Sequence, residues 1–433
     1  MLRLWHRSET ADADPGSAIG HPFASLAEPS YRDFWLSILG SFSAMQMNIV
    51  ARGYLAFVLT NSATALGVVS LARAVPMLVL APYAGNVADR VDKRRLLIVT
   101  QVGLMLVALT TSLLVHFGLI QFWHLCVLGF LEGTIFTFNM PTRQSILPRL
   151  VPSERLGNAI ALNATGRNLT RIVAPSLAGV LIGLPAFGIS GAFDFVAGAY
   201  CAAALLLLRL GLRAEDAKDA QNTTRARRGS GFSGLGDGFR YILANSNLRL
   251  LIILGFVPVL LGTPYQTLLP VFQARVLNVD ATGLGIMYGA AGVGGLIGSI
   301  VVAAIATHPK KASLQLIFGI MFGVGLLAFS AVHLFGVDLV FLAVVGLFGD
   351  GYSTLNSTMV MLNTDRAWYG RVMSIYMMNF ALMPLATLPL GALSDWISAP
   401  IAVGGAAILI VVLVGGVGLF YPPYRRVGEA VAM

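Results

Sequence analysis

A chain of 433 residues that is 56% hydrophobic and only 11% charged has too few charges to clothe a water-facing globule, since soluble proteins carry about 25%. Its net charge of +9 would suit a nucleic-acid binder. The mean hydropathy of +0.77 and repeated apolar runs of about twenty residues, each long enough to cross a bilayer, exclude a soluble one.

The first segment, 1–33, is mixed polar. Glu9, Asp12, Asp14 and Pro15 stand where a signal peptide would need an apolar stretch, so it is expected to be a cytoplasmic tail. Six apolar runs follow at 34–59, 64–84, 95–117, 121–142, 155–183 and 187–210. A hydrophilic stretch at 211–245 carries Glu215, Asp216, Lys218 and the run Arg225-Ala226-Arg227-Arg228, and reads as a cytoplasmic linker able to meet lipid headgroups. Six further runs lie at 246–272, 281–306, 312–333, 338–361, 368–392 and 398–421, ahead of a short tail at 422–433. Their length predicts helices, because barrel strands need only about ten alternating residues.

The expected fold is therefore an all-α membrane protein of twelve transmembrane helices in two six-helix bundles, 34–210 and 246–421. Nearly all of the 29 Lys and Arg residues fall on one side if both termini are cytoplasmic, as the positive-inside bias requires. Arg275 is the outside exception, and Arg52, Arg73, Arg167 and Arg171 lie within spans. The halves resemble each other. Glu132-Gly133 followed by Asn139 in span four matches Asp350-Gly351 followed by Asn356 in span ten, and Arg155–Leu162 opens span five much as Tyr369–Tyr376 opens span eleven. Duplicated units of this kind suit a transporter that rocks about a central site.

Charges inside spans face the interior or a water-filled cavity and are functional candidates by default. At 1.5 Å rise per residue, Glu132 lies roughly 15 Å from the outer end of its span, Arg52 roughly 10 Å and Arg171 roughly 20 Å. Glu132 is the first candidate for proton coupling, with Arg52 or Arg171 as its counter-charge; a buried pair that only fixes packing is the alternative. Arg167 shares a face with Arg171. Asp350 comes second, for want of a cation at similar depth in its own half. Arg73 is expected to snorkel to the interface, and Asp194 and Asp395 to be solvated at outer helix ends. Small residues four apart, Gly285/Gly289 and Gly294/Gly298, point to close helix packing rather than to a dinucleotide loop. Cys126 and Cys201 sit in apolar runs, with no metal-ligand spacing, so no metal or cofactor is expected.

The loop after span two reads Gly85-Asn86-Val87-Ala88-Asp89-Arg90-Val91-Asp92-Lys93-Arg94-Arg95. It resembles the loop signature of the major facilitator superfamily, with Asp92 in place of the second glycine and Val87 in place of leucine. Asn139–Asn163, Arg171–Gly183 and Gly370–Met378 are similar to the branch of that superfamily containing the enterobactin (siderophore) and macrolide exporters. The resemblance implies that Gly85, Asp89, Arg90, Lys93 and Arg94 form a cytoplasmic gating motif. It also implies that Ala174, Pro175 and Gly179 form a span-five antiporter-like motif, in which Ala174 and Ala178 replace the family's glycines.

These readings point to a secondary transporter of the cytoplasmic (inner) membrane, not an enzyme: a proton-coupled exporter of amphiphilic small molecules such as drugs or siderophores. Its expected partners are that substrate, protons and membrane lipids, with no nucleic acid, and the chain is read as a monomer. A lysophospholipid-type lipid transporter is the nearest alternative, and a non-transporting membrane scaffold the more distant one. An ATP-driven pump would need a phosphate-binding G-x-x-x-x-G-K-[ST] loop, which the sequence lacks.

Overall fold

The computed structural model describes residues 23–210, 232–305, 308, 310–365, 367–421 and 424. Helices occupy each expected span: α1 (Pro29–Thr60), α2 (Ala63–Arg90), α3 (Lys93–His116), α4 (Phe122–Ile146), α5 (Leu156–Gly183) and α6 (Gly188–Leu208). Most of the expected N-terminal tail (1–22), the first part of the expected linker (211–231) and the expected C-terminal tail (422–433) apart from Tyr424 lie outside the described residues. The rest of the expected linker is a helix, α7 (Phe232–Ala244). Next come α8 (Ser246–Val276), α9 (Ala281–Ala304), α10 (Lys311–Ala331), α11 (Phe335–Leu362), α12 (Tyr369–Trp396) and α13 (Ala399–Phe420). Ten of these are long and apolar enough to cross a membrane; α4 and α5 fall short of that measure. Their sequences explain why: α4 carries His124, Glu132, Asn139 and Arg143, and α5 carries Asn158, Asn163, Arg167, Asn168 and Arg171. Both are nonetheless packed among the apolar helices, against α1, α2, α3 and α9.

The helices are long because their backbone groups have no water to bond in a bilayer. Their ends are closed by side chains: Ser62 caps α2, Asp92 caps α3, Asp280 caps α9 and Ser398 caps α13. The α1–α2 turn passes through Asn61 in the left-handed region at φ 47°, which asparagine tolerates. In α8, Pro258 and Pro264 remove hydrogen-bond donors, and the helix relaxes into π-helical stretches at Pro258–Gly262 and Phe272–Val276.

Helices α1–α6 pack chiefly on one another, as do α8–α13, and the two groups meet mainly along α5/α9 and α2/α12. Both seams depend on missing side chains. A methyl group added at Gly179 would strike the backbone of Gly285, and one at Gly183 would strike Thr282. One at Gly67 would strike the backbone of Leu388, and one at Gly391 that of Ala63. α9 uses its glycines on two faces: Gly285, Gly289 and Gly292 meet α5, while Gly294, Gly295 and Gly298 meet α11. The Gly285–Gly298 stretch is a packing surface, as its spacing predicts.

Candidate functional site

Glu132 projects from α4 into the interior of α1–α6, where it is 1% exposed. Arg52 of α1, itself 4% exposed, places Nη1 2.5 Å from Glu132 Oε2. Arg73 of α2 brings Nε to 3.4 Å from Oε1, and its guanidinium lies over the Phe136 ring at 5.6 Å. Gly129 makes room for this triad, since Arg52 Nη1 occupies the place of its missing side chain. Matched depth therefore pairs Arg52 with Glu132 as expected. Arg73 does not snorkel: it turns inward as the second cation. Arg171 is not a partner of Glu132.

A further buried polar cluster lies toward the α2–α3 end of this group. Arg143 donates to Asn139 Oδ1 at 2.8 Å and to Ser41 Oγ at 2.7 Å, while Asn139 donates to Thr100 at 2.8 Å. Arg143 follows Asn139 by four residues, so the two share a helix face and their spacing alone is a signal of the pair.

Arg171 instead crosses from α5 to α11, where its Nη2 donates to Asp350 Oδ1 at 2.9 Å. Asp350 thus has its cation after all, borrowed from the other group of helices. The side chains are 52% and 31% exposed respectively, unlike the sealed Glu132 triad. Gly295 of α9 creates the space, because a methyl group there would collide with the Asp350 carboxylate. The pair sits at the end of the α5/α9 seam, one residue from the last close contact, Ile172 against Gly292. Arg167 lies one turn further along α5, exposed, with its guanidinium 6.0 Å from the centre of the Phe42 ring. In the proline-glycine segment, Ala174, Pro175 and Gly179 are all buried, and Gly179 forms the backbone crossing with Gly285.

The remaining hydrogen bonds that join the two groups, among the described residues, lie at the α1–α2 end. Asp395, close to the end of α12, accepts from Ser62 Oγ at 2.5 Å and from the Ala63 N–H, the Thr64 N–H and Thr64 Oγ1, each at 2.8 Å. A carboxylate so placed satisfies free N–H groups at the positive end of α2. Arg275 donates to Asp395 at 3.2 Å and to the backbone carbonyl of Asn61, and stacks over Phe57 at 5.2 Å. Asp395 is therefore a tertiary cap as well as an exposed end group. Asp194 is exposed, as expected, and accepts from Ser112 Oγ at 2.6 Å.

At the α2–α3 end, the side chains of Gly85, Asp89 and Arg90 lie outside the described residues, although their backbone completes α2. Lys93 opens α3. Arg94 donates to the carbonyls of Leu207 and Leu208 at the end of α6, a favourable place for a cation. Asp92, the departure from the signature, accepts from the Arg95 N–H at 2.6 Å and so starts α3.

The profile of the transmembrane secretion effector family matches residues 20–424. The staphyloferrin A transporter of Staphylococcus aureus is 27% identical over 342 residues, covering 78% of this chain and 83% of its own. The multidrug efflux pump Tap of Mycolicibacterium fortuitum is 26% identical over 391 residues, 89% and 93% respectively. Macrolide efflux protein A of Streptococcus pyogenes is 21% identical over 338 residues, 77% and 80%. Among solved structures, a bacterial homologue of the human lysosomal transporter Spinster, inward-facing and occupied, superposes with a TM-score of 0.70 at 12% identity, over 94% of this chain and 98% of that one. A bacterial homologue of the iron transporter ferroportin gives 0.67 at 16% identity, over 89% and 98%. The protein is a multi-span membrane transporter, a member of the transmembrane secretion effector family of the major facilitator superfamily.

Proposed function

We propose that this transporter exports amphiphilic small molecules from the cytoplasm by alternating access, driven by inward proton movement, with Asp350 as the proton carrier and Arg171 as its counter-charge. In this reading twelve helices span the cytoplasmic membrane and both chain ends lie in the cytoplasm. The α1–α2 end is then the outer one, held shut by Asp395, and the conformation is inward-facing. Similarity to efflux pumps supports export, and the clustering of basic residues at the α2–α3 end supports the orientation.

The observation that carries the coupling is the half-exposed pair of Arg171 and Asp350, made between the two groups of helices. Opening the outer side must part α5 from α9 and draw Arg171 away from Asp350. With the guanidinium withdrawn, the carboxylate binds a proton from the side then open, the outside. When the halves close again, Arg171 returns to the carboxylate and the proton leaves toward the cytoplasm. Glu132 was the first candidate from sequence. Held by two arginines within one group of helices, it has no such change of partner between states, and its part in this scheme is to fix α1, α2 and α4 together.

The test is transport by purified protein in liposomes. Wild type is expected to accumulate at least one of tetraphenylphosphonium, an amphiphilic cation, and 3-hydroxydecanoate, an amphiphilic anion, against its gradient when a pH gradient is imposed. Asp350→Asn is expected to retain downhill exchange and lose gradient-driven accumulation. Full accumulation by Asp350→Asn would remove Asp350 from the coupling role.

A further inference from the structure

Between Arg167 and Leu177, the exposed residues of α5 fall into two stripes. Leu169, Val173 and Leu177 form an apolar one at intervals of four, suited to lipid. Arg167, Asn168 and Arg171 form a polar one that turns away from it, because successive residues advance 100° around a helix. Arg171 shows where the polar stripe points, since it reaches Asp350 on α11. Arg167, four residues earlier, shares that direction and so faces the gap between the halves.

Within that gap the charges do not cancel. Arg171 is neutralised by Asp350, whereas Arg167 makes no ion pair with an acid among the described residues and meets only the Phe42 ring. A guanidinium presents five donors in a planar fork that matches a carboxylate or phosphate. Beside an aromatic face, it suits an anion that also carries hydrocarbon.

The opposite wall has complementary chemistry. Starting from Asp350, α11 presents Ser353, Thr354, Ser357 and Thr358, all half-buried, at the spacing of one helix face. Each hydroxyl gives its proton to a carbonyl of its own helix: Ser353 to Gly349, Thr354 to Asp350, and Ser357 and Thr358 to Thr354, at 2.8–3.0 Å. Their lone pairs remain directed away from the helix, so this wall accepts hydrogen bonds rather than donating them.

We infer that the gap binds an acidic amphiphile bearing hydroxyl donors, with its anionic oxygen group on Arg167 and its hydroxyls against Ser353, Thr354, Ser357 and Thr358. This rests on the transport reading above and adds the substrate class to it. A free hydroxy acid and a lysophospholipid with a hydroxylated headgroup share the required chemistry.

The experiment compares three probes with protein in nanodiscs and in liposomes: 3-hydroxydecanoate, its methyl ester, and lysophosphatidylglycerol. The acid is expected to bind at least ten-fold more tightly than the ester, as loss of one charge-assisted contact implies. Arg167→Gln is expected to erase that difference, and Arg167→Lys to restore part of it. Tighter binding of lysophosphatidylglycerol would assign the site to a lipid and tighter binding of 3-hydroxydecanoate to a solute; either supports the inference. Equal affinity for acid and ester in wild type, or an unchanged ratio in Arg167→Gln, overturns it. Gradient-driven accumulation of either amphiphile, tetraphenylphosphonium or 3-hydroxydecanoate, separates the two levels. If it occurs while acid and ester bind alike, the substrate class is wrong and the transport reading stands. If no probe is moved, the transport reading itself fails.

Discussion

Asp395 and Thr64 lie 331 positions apart, yet the carboxylate takes both the backbone N–H and the hydroxyl of Thr64 at 2.8 Å. The start of α2 is thus capped by a residue of α12, and the cap exists only while the two groups of helices touch at this end. Replacing an N-cap acceptor costs about 1 kcal/mol, so Asp395→Ala is expected to raise the population open at this end roughly five-fold. Spin labels at Leu59 and Trp396, both exposed, report the opening as a longer inter-label distance. An unchanged distance distribution in Asp395→Ala would show that the cap does not set the balance.

Glycines on α9 allow the Arg171–Asp350 pair to be perturbed without touching either residue. A methyl group at Gly295 meets only the Asp350 side chain, whereas one at Gly294 meets the backbone of Ala343. A carboxylate can rotate away and a helix backbone cannot. Gly295→Ala is therefore expected to fold, lose gradient-driven transport and behave like Asp350→Asn, while Gly294→Ala is expected to melt several degrees lower. Equal losses of thermal stability in the two variants would refute the distinction.

The Glu132 triad makes the opposite prediction. Glu132→Gln leaves Arg52 and Arg73 buried without their acid, and breaking a buried pair costs about 3–5 kcal/mol. Removing charge on both sides, as in Arg52→Leu with Glu132→Leu, avoids part of that penalty and is expected to recover some stability. Thermal unfolding in detergent measures both. A Glu132→Gln protein with wild-type melting and no proton-driven transport would return Glu132 to the coupling role and displace Asp350.

Much of this arrangement was legible before any coordinates. The helices were, because a bilayer demands about twenty apolar residues at each crossing. The counter-charge of Glu132 was narrowed to Arg52 or Arg171, because a fixed rise per residue converts sequence position into depth. Depth does not give azimuth or neighbour, however. Arg171 seemed as eligible for Glu132 as Arg52 was, and only the packing of α5 on α9 directs it to Asp350 in the other group. Asp395 read as a solvated end group because its partners are backbone N–H groups, and nothing in a residue pattern marks which neighbouring helix begins beside it. Arg73 was misread for a related reason. A long side chain near a span end snorkels unless a buried acid draws it inward, and the identity of that acid is tertiary information.

Asp92 offers a last test, in the segment where this chain departs from its superfamily signature. The signature has glycine there; this chain uses an aspartate whose carboxylate accepts from the Arg95 N–H at 2.6 Å. Substituting an N-cap aspartate by alanine costs about 1 kcal/mol, but by glycine only a few tenths, because glycine leaves the free N–H groups open to water. The expected order of thermal stability is wild type, then Asp92→Gly close behind, then Asp92→Ala. Arg94 grips the α6 carbonyls from the first turn of the same helix, so Arg94→Ala combined with Asp92→Ala is expected to lower stability further than either change alone. Were Asp92→Gly to cost as much as Asp92→Ala, the carboxylate would be making a contact beyond the cap, and the superfamily's glycine could not serve this loop.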